Sequence, residues 1–325
     1  MLLHVTHATR YHYTPVVESA NHIAYLKPAD QAGQNLVSHA LHISPQPAQQ
    51  RELRDVYGNH RQFFSLQSSH DCLEVVAHSV VFTSTNGSNH LDRHNLFDHS
   101  PIQSAALPWE KVRDQFKYQA GSAYNSAWDF VFASPYVPRE PAFTQFARPS
   151  FTPGRPLDEA AHDLMARIHR SMTFESHSTE VNTPALEALA QRKGVCQDFA
   201  HIMVACCRAM GLPARYVSGY MLTQPPAGQA RLIGCDASHA WASVYCPLPS
   251  EHGAKRWLDF DPTNNRAPDE DYVTLATGRD FLDVSPLRGV IRGGAQHVLE
   301  VAVTVTPLDS SDLSSSSSRQ ALPAF

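Results

Sequence analysis

Residues 194–213 of the chain read GVCQDFAHIMVACCRAMGLP, and this stretch decides the architecture of the second half of the protein. Apolar side chains recur after Cys196 at the spacing of one helical face: Phe199, Ile202, Met203, Cys206 and Met210. Gly211 and Pro213 predict that the helix ends directly afterwards, because glycine favours a helix terminus and proline prevents continuation. The pattern therefore predicts a helix that carries Cys196 among its first residues.

The position of Cys196 has a chemical consequence. The free N–H groups and the dipole of a helix N-terminus favour negative charge, so they favour a thiolate. Gly194 lets the backbone turn sharply, and the backbone N–H of Cys196 is available to a developing oxyanion. A cysteine taken alone is more often a small packing residue, and this is our interpretation of Cys206 and Cys207 in mid-helix.

A second candidate residue is His239, in the segment SHAW at 238–241. In a strand, His239 and Trp241 face one side while the small residues Ser238 and Ala240 face the other. A lone histidine in a strand is most often structural. This one directly follows a loop, which is a common place for a catalytic group.

A third candidate is Asp261, in the segment DFDPT at 259–263. The proline after it predicts that a strand ends there. An aspartate before a turn most often caps that turn. An aspartate that instead hydrogen-bonds the far ring nitrogen of a histidine fixes the tautomer and supports the imidazolium. Adjacent antiparallel strands are expected to bring His239 and Asp261 side by side.

Several spaced motifs together resemble the bacterial transglutaminase-like family. They read GVCQDFA at 194–200, GLPARYVSGY at 211–220, DASHAW at 236–241, DFDPTN at 259–264 and GRDFLDVSP at 278–286. The β-rich first part is similar to the N-terminal domain that often precedes this catalytic core. The resemblance covers most of the chain, apart from the details of 85–150 and the serine-rich tail.

This resemblance implies an α+β fold with a papain-like, transglutaminase-like catalytic core. It implies a catalytic triad of Cys196, His239 and Asp261. Trp241 occupies the slot that often walls the cleft in such enzymes, so a substrate-binding role is expected for it. The family's second oxyanion donor lies upstream of the nucleophile, and the sequence does not locate it. No metal and no cofactor are implied.

The rest of the chain divides by composition and pattern. Short runs rich in β formers at 3–13, 20–26, 37–44, 62–66 and 73–83 predict a β-sandwich-type N-terminal domain over 1–95. A connecting region over 96–154 follows, then the transglutaminase-like catalytic domain over 155–308. Five consecutive serines in the final segment predict a disordered tail over 309–325.

Within the second half, apolar periodicity and turn residues predict helices from 108, over 155–168 and over 184–191. Strands are predicted at 215–222, 239–246, 256–261 and 296–305, with a loop at 224–229.

Composition limits the partners and the location. The formal net charge is −5, which gives no electrostatic basis for binding nucleic acid or an anionic membrane surface. The N-terminus lacks a basic region followed by an apolar run, so we expect no signal peptide. Six sparse cysteines then favour reduced thiols and a cytoplasmic location over a disulfide framework.

The residues and the resemblance together predict a cysteine-dependent acyl-transfer enzyme acting on a peptide or protein substrate. A thioester resolved by water makes it a protease or amidase, and one resolved by an amine makes it a transglutaminase. One alternative is a non-catalytic protein-binding module, against which the intact Cys, His and Asp set argues. Another is a zinc site of Cys235, His239 and Cys246 with Cys206 or Cys207, although no Cys-x-x-Cys pair is present. The oligomeric state is not predicted.

Overall fold

The computed structural model of the protein describes residues 1–84, 106–121, 123–176, 178–223, 238–247, 257–294 and 296–308. Residues 85–105, which include the start of the connecting region, the loop at 224–229 and the tail at 309–325 lie outside these ranges. Among the described helices, none combines the length and the hydropathy that a bilayer span requires.

The N-terminal domain is built around one long strand. Its strands are β1 (Leu2–Ala24), β2 (Gln34–Ser44), β3 (Gln49–Arg54), β4 (His60–Leu66) and β5 (His70–Thr83). The first half of β1 pairs with β5 and the second half pairs with β4. The β5 register shifts between His12 and Val17, where β1 changes partners. The expected sandwich-type domain therefore takes the form of one curled sheet.

Two strands from the end of the chain complete this sheet. β12 (Leu287–Gly293) pairs with the second half of β1, and β13 (Gln296–Pro307) pairs with the first half. The sequence division assigned both segments to the catalytic domain. In the structure they belong to the N-terminal sheet, because β1 still offers an unpaired edge on the side opposite β4 and β5.

The second half of the chain forms a helical layer on a smaller sheet. The described α-helices are α1 (Trp109–Gln115), α2 (Pro141–Ala147), α3 (Leu157–Ser171), α4 (Ala185–Gln191), α5 (Cys196–Ala209) and α6 (Phe281–Val284). Short 3-10 helices cover Ser126–Phe130 and Arg148–Ser150. The sheet contains β8 (Ala214–Met221), β9 (Ser238–Tyr245), β10 (Trp257–Phe260) and β11 (Tyr272–Gly278), antiparallel in the order β10-β9-β8-β11. Thr173–Phe174 (β6) and Lys193–Gly194 (β7) form a short parallel pair.

Helix α5 is the centre of the larger hydrophobic core. It packs on β8 and β9 with one side and on α2, α3 and α4 with the other. For this reason it is buried almost all round, and not only along the apolar stripe that the sequence shows. Cys206 and Cys207 both lie in this core, and burial raises the pKa of each thiol. The helix ends at Ala209, and Gly211 shortly after it has a positive φ of 80°, which favours glycine.

The two sheets meet along β11, the edge strand of the smaller one. Side-chain amides of the N-terminal domain bind its backbone in two places. Gln34 donates to the Thr274 carbonyl and accepts from the Thr274 N–H, both at 2.7 Å. Asn59 makes the same pair of bonds to Thr277, both at 2.8 Å. These amides satisfy backbone groups that the sheet edge leaves unpaired.

Six of the described histidines are buried, and three of them, His7, His22 and His201, have lowered pKa values. His7 bonds the Tyr220 hydroxyl across the domain interface at 2.9 Å, and His201 lies inside α5. His22 stacks on Phe64 at 5.1 Å, and neither of its ring nitrogens has a partner among the described atoms. Burial lowers the pKa of His7 and His22 to about 4 and that of His201 to about 3. The folded state therefore requires these imidazoles to be neutral.

The buried histidines predict a loss of stability in mild acid. A histidine whose pKa is lower in the folded state than in the unfolded state binds a proton more readily when the protein is unfolded. The free energy of unfolding therefore decreases as pH drops below about 6.5. The free energy of unfolding should decrease between pH 7.5 and pH 4.5, and in His22→Leu this decrease should be smaller by on the order of 2 kcal/mol. Urea unfolding at both pH values measures it. His12→Leu, on the exposed part of the same strand, is the control. An equal acid loss in wild type and His22→Leu would contradict the prediction.

Candidate active site

Cys196 is the first residue of α5, as the sequence predicts. The first helical amides to find a backbone carbonyl are those of Asp198 and Phe199, which both bond the Val195 carbonyl. The amides of Cys196 and Gln197 therefore belong to the open end of the helix, where the peptide dipoles favour negative charge. The Cys196 side chain is half-buried.

A buried carboxylate holds this helix end in place. Asp198 accepts the Val195 N–H at 2.8 Å and the Thr179 hydroxyl at 2.6 Å. Burial raises the pKa of Asp198, and these two donors oppose the increase. Gly194 makes the close approach possible, since a Cβ there would lie 2.6 Å from the carboxylate oxygen. The glycine before the cysteine is thus required for the helix cap as well as for the turn.

The segment preceding α4 is tied to the same helix end. The Glu175 N–H donates to the Gly194 carbonyl at 3.1 Å. The Gln197 side chain donates to the Val181 carbonyl at 2.9 Å. Together with the Thr179 bond to Asp198, these contacts tie Glu175, Thr179 and Val181 to the start of α5.

His239 lies near the start of β9 and is 7% exposed. Its Nε2 is 2.7 Å from Asp261 Oδ2, which leaves Nδ1 as the ring nitrogen available to Cys196, the second hydrogen-bond partner of this imidazole. Burial by itself would lower the pKa of His239. Hydrogen bonds with Asp261 and Cys196, together with the electrostatic effect of those groups, outweigh burial and raise the pKa to about 10. The imidazole is therefore held as a cation at neutral pH.

The Asp261 carboxylate is fully buried and accepts five hydrogen bonds. Oδ1 accepts the backbone N–H groups of Thr263 at 2.8 Å and Asn264 at 3.2 Å. Oδ2 accepts His239, the Asn264 amide and the Tyr272 hydroxyl, each at 2.7 Å. Burial raises the pKa of Asp261, but the bond with His239 and the other donors hold it below its usual range. Asp261 thus caps its turn and also binds the histidine.

Trp241 shares the His239 face of β9, with their ring centroids 6.2 Å apart. It packs edge-on against Tyr272 at 5.4 Å and is 0% exposed. Trp241 therefore forms the wall behind His239. Direct substrate contact by this side chain stays a prediction, because no part of it reaches the surface in this structure.

The structure brings together the three predicted residues Cys196, His239 and Asp261. It also places two further residues, Asn264 and Tyr272, in contact with the Asp261 carboxylate. Asn264 was already part of the DFDPTN motif, so a signal for it was present. Tyr272 lies in the run YVTLAT at 272–277, for which no strand is predicted although the run is rich in β formers. That run does not indicate that its first residue reaches Asp261. Within the described ranges no cluster of three or more metal-binding side chains is found, and Cys235 of the alternative zinc set lies outside them.

Two family models match this chain. Residues 3–82 match the bacterial transglutaminase-like N-terminal region, and residues 144–262 match the transglutaminase-like superfamily. The second range contains Cys196, His239 and Asp261. The chain belongs to the transglutaminase-like superfamily.

The superfamily relatives include proteins of similar length and larger ones. An uncharacterised protein of Mycobacterium tuberculosis is 40% identical over 306 residues, covering 94% of this chain and 92% of that protein. A protein-glutamine gamma-glutamyltransferase of Pseudomonas aeruginosa is 39% identical over 114 residues, covering 33% of this chain and 16% of that protein.

A solved structure supports the same fold. It is described as a "putative cysteine protease" from Cytophaga hutchinsonii and aligns with a TM-score of 0.70 at 20% identity, covering 95% of this chain and 91% of that one. The predicted fold, a transglutaminase-like α+β core with a β-rich domain before it, is confirmed.

The cap of α5 gives a prediction for stability. Asp198→Ala removes the acceptor of the Val195 and Thr179 donors, and we expect it to lower the free energy of unfolding by about 1–2 kcal/mol. Asp198→Asn retains an oxygen that can accept both donors, so its cost should be clearly smaller. Denaturant unfolding of the two variants measures the difference. Equal losses for alanine and asparagine would mean that the cap bonds do not stabilise the helix end.

Proposed function

We propose that this superfamily member is a cysteine-dependent acyl-transfer enzyme that acts on amide groups of peptide or protein substrates. Cys196 is the proposed nucleophile, His239 the general acid and base, and Asp261 the residue that orients the histidine. The observation that carries the proposal is the geometry around His239. Its Nε2 lies 2.7 Å from a buried carboxylate, and the same imidazole hydrogen-bonds Cys196 at a helix N-terminus.

The proposed reaction has two steps. The Cys196 thiolate attacks the amide carbonyl carbon, the carbon–nitrogen bond breaks, and the His239 imidazolium gives its proton to the departing amine. A thioester with Cys196 results. Water or a primary amine then attacks the thioester, His239 accepts the proton of the attacking group, and the sulfur leaves as thiolate.

Two features of the site favour this chemistry. The cationic imidazole beside the sulfur stabilises a thiolate electrostatically, and the open amides at the start of α5 are suitable donors for an oxyanion. Hydrolysis and transamidation use the same three residues. The choice between them depends on how well the cleft excludes water and binds an amine.

A trapping experiment tests the proposal. Glutamine-containing peptides and a fluorescent primary amine are incubated with the protein, and the acyl-enzyme is located by mass spectrometry. We expect the thioester on Cys196, with amine incorporation indicating a transamidase and free acid indicating a hydrolase. Cys196→Ala should abolish labelling and turnover while leaving the melting temperature nearly unchanged. Labelling of Cys206 or Cys207 without Cys196 would contradict the assignment, and an absence of any acyl-enzyme would favour the binding-module alternative.

The raised pKa of His239 predicts the pH dependence. A raised pKa keeps the imidazolium present at neutral pH and removes it as pH rises through about 10. Activity should therefore persist well above pH 6.5 and fall on the alkaline side near pH 10. Asp261→Asn should move this alkaline limb to lower pH and reduce kcat by roughly 10²–10⁴-fold, with some activity remaining. A wild-type alkaline limb near pH 6.5 would contradict the assigned ion pair.

A further inference from the structure

We propose that Tyr272 is a positioning residue for Asp261, and that the N-terminal domain holds Tyr272 in place through Gln34. This inference rests on the function proposed for Cys196, His239 and Asp261. It gives the N-terminal domain a role in the reaction, which neither its sequence nor its fold assigns.

The first step of the argument is the contact of Tyr272 with the site. Its hydroxyl donates to Asp261 Oδ2 at 2.7 Å, on the same oxygen that binds His239. The ring is held on two sides, since Trp241 packs edge-on against it at 5.4 Å and the Arg266 guanidinium lies over it at 4.6 Å. The ring therefore has little freedom to move, and its hydroxyl is held against the Asp261 carboxylate.

The second step concerns the strand that carries Tyr272. β11 is the edge strand of its sheet and pairs with β8 on one side only. That pairing is interrupted by a register shift between Thr274 and Ala276. Because a shifted register weakens the ladder locally, β8 alone does not fix the backbone around Thr274.

Gln34 binds β11 at this interruption. Its side chain makes a two-bond clamp on the Thr274 backbone, two residues from Tyr272. The Gln34 amide also donates to the Ala29 carbonyl at 2.7 Å, so the side chain is itself fixed, and it is only 3% exposed. Gln31 adds a bond to the Thr274 hydroxyl at 2.9 Å. The chain of contacts thus runs from Gln34 through Thr274 and Tyr272 to the carboxylate.

The other clamp on the same strand provides a contrast. Asn59 binds Thr277 with the same geometry, but at the far end of β11 from Tyr272. If the clamps only join the two domains, Gln34 and Asn59 should be equivalent. If Gln34 positions Tyr272, only Gln34 should affect the site.

The test measures the reactivity of Cys196 directly, in the full-length protein. Iodoacetamide alkylation of each cysteine is followed by mass spectrometry between pH 5 and pH 10, with Cys72 as the internal reference. Tyr272→Phe removes only the hydroxyl and keeps the ring. We expect it to slow Cys196 alkylation at pH 7 by about threefold to tenfold, with Cys72 unaffected. With a peptide substrate, kcat should fall by a similar factor while KM stays unchanged.

Tyr220→Phe is the matched control. Tyr220 is a fully buried tyrosine of the neighbouring strand β8, and its hydroxyl bonds a histidine of the N-terminal domain. Removing this hydroxyl should leave the Cys196 alkylation profile unchanged, whatever it does to the melting temperature. Equal slowing in Tyr220→Phe and Tyr272→Phe would overturn the proposal, because the effect would then follow from general loosening of the interface.

Two further variants test the link to the N-terminal domain. Gln34→Ala should slow Cys196 alkylation and should add little to Tyr272→Phe in the double variant, because both act through one contact. Asn59→Ala should lower stability without changing the alkylation profile. An unaltered profile in Tyr272→Phe, or additive effects of Gln34→Ala, would overturn the proposal while leaving the proposed function intact. A wild-type Cys196 that reacts no faster than Cys72 would overturn both.

Discussion

The buried carboxylate of Asp261 is the constraint around which this site is organised. A charge removed from water is costly unless it is paired and fully hydrogen-bonded. Five donors from the following turn, β9 and β11 meet this requirement. The carboxylate in turn fixes the ring of His239 and contributes to its raised pKa. The orientation of the imidazole toward Cys196 therefore depends on three separate parts of the chain converging on two oxygen atoms.

The two domains are also joined by strand pairing and by hydrogen bonds, so they are not independent units. β1 pairs with β12 and β13, which follow the smaller sheet in sequence, so the chain returns to the N-terminal sheet after completing the site. Between these strands, Asp280 caps α6 and also accepts the Tyr136 N–H, while the Phe281 N–H bonds His201 inside α5. The GRDFLDVSP motif thus joins α5, the helix that carries Cys196, to the segment that leads back to β1. The Tyr25 N–H, directly after β1, bonds the Pro286 carbonyl at the end of this motif.

Much of this structure could be predicted from local sequence. The helix bearing Cys196 begins and ends where its glycines and apolar spacing indicate, and the strands of His239 and Asp261 are adjacent as expected. The strands β3 and β11 were missed. All six residues of β3 are exposed, so it lacks the alternation that marks a half-buried strand. Every residue of β11 is buried, so it lacks alternation for the opposite reason. The final strands were predicted in part, but their partner was not, because pairing across nearly 300 residues leaves no local pattern.

By itself, the sequence determined the superfamily, the α+β class and the three residues assigned to the chemistry. These depend on spaced motifs and on short-range rules for helix ends, strands and turns, all of which operate within a few residues. Only the tertiary structure decided that the Tyr272 hydroxyl and the Asn264 amide bind the carboxylate of Asp261. It also decided that Trp241 lies behind His239 without reaching the surface, and that Gln34 fastens the strand of Tyr272. The physical reason is that a buried charge selects its donors by distance in space, and residues remote in sequence reach it only after the sheets have packed.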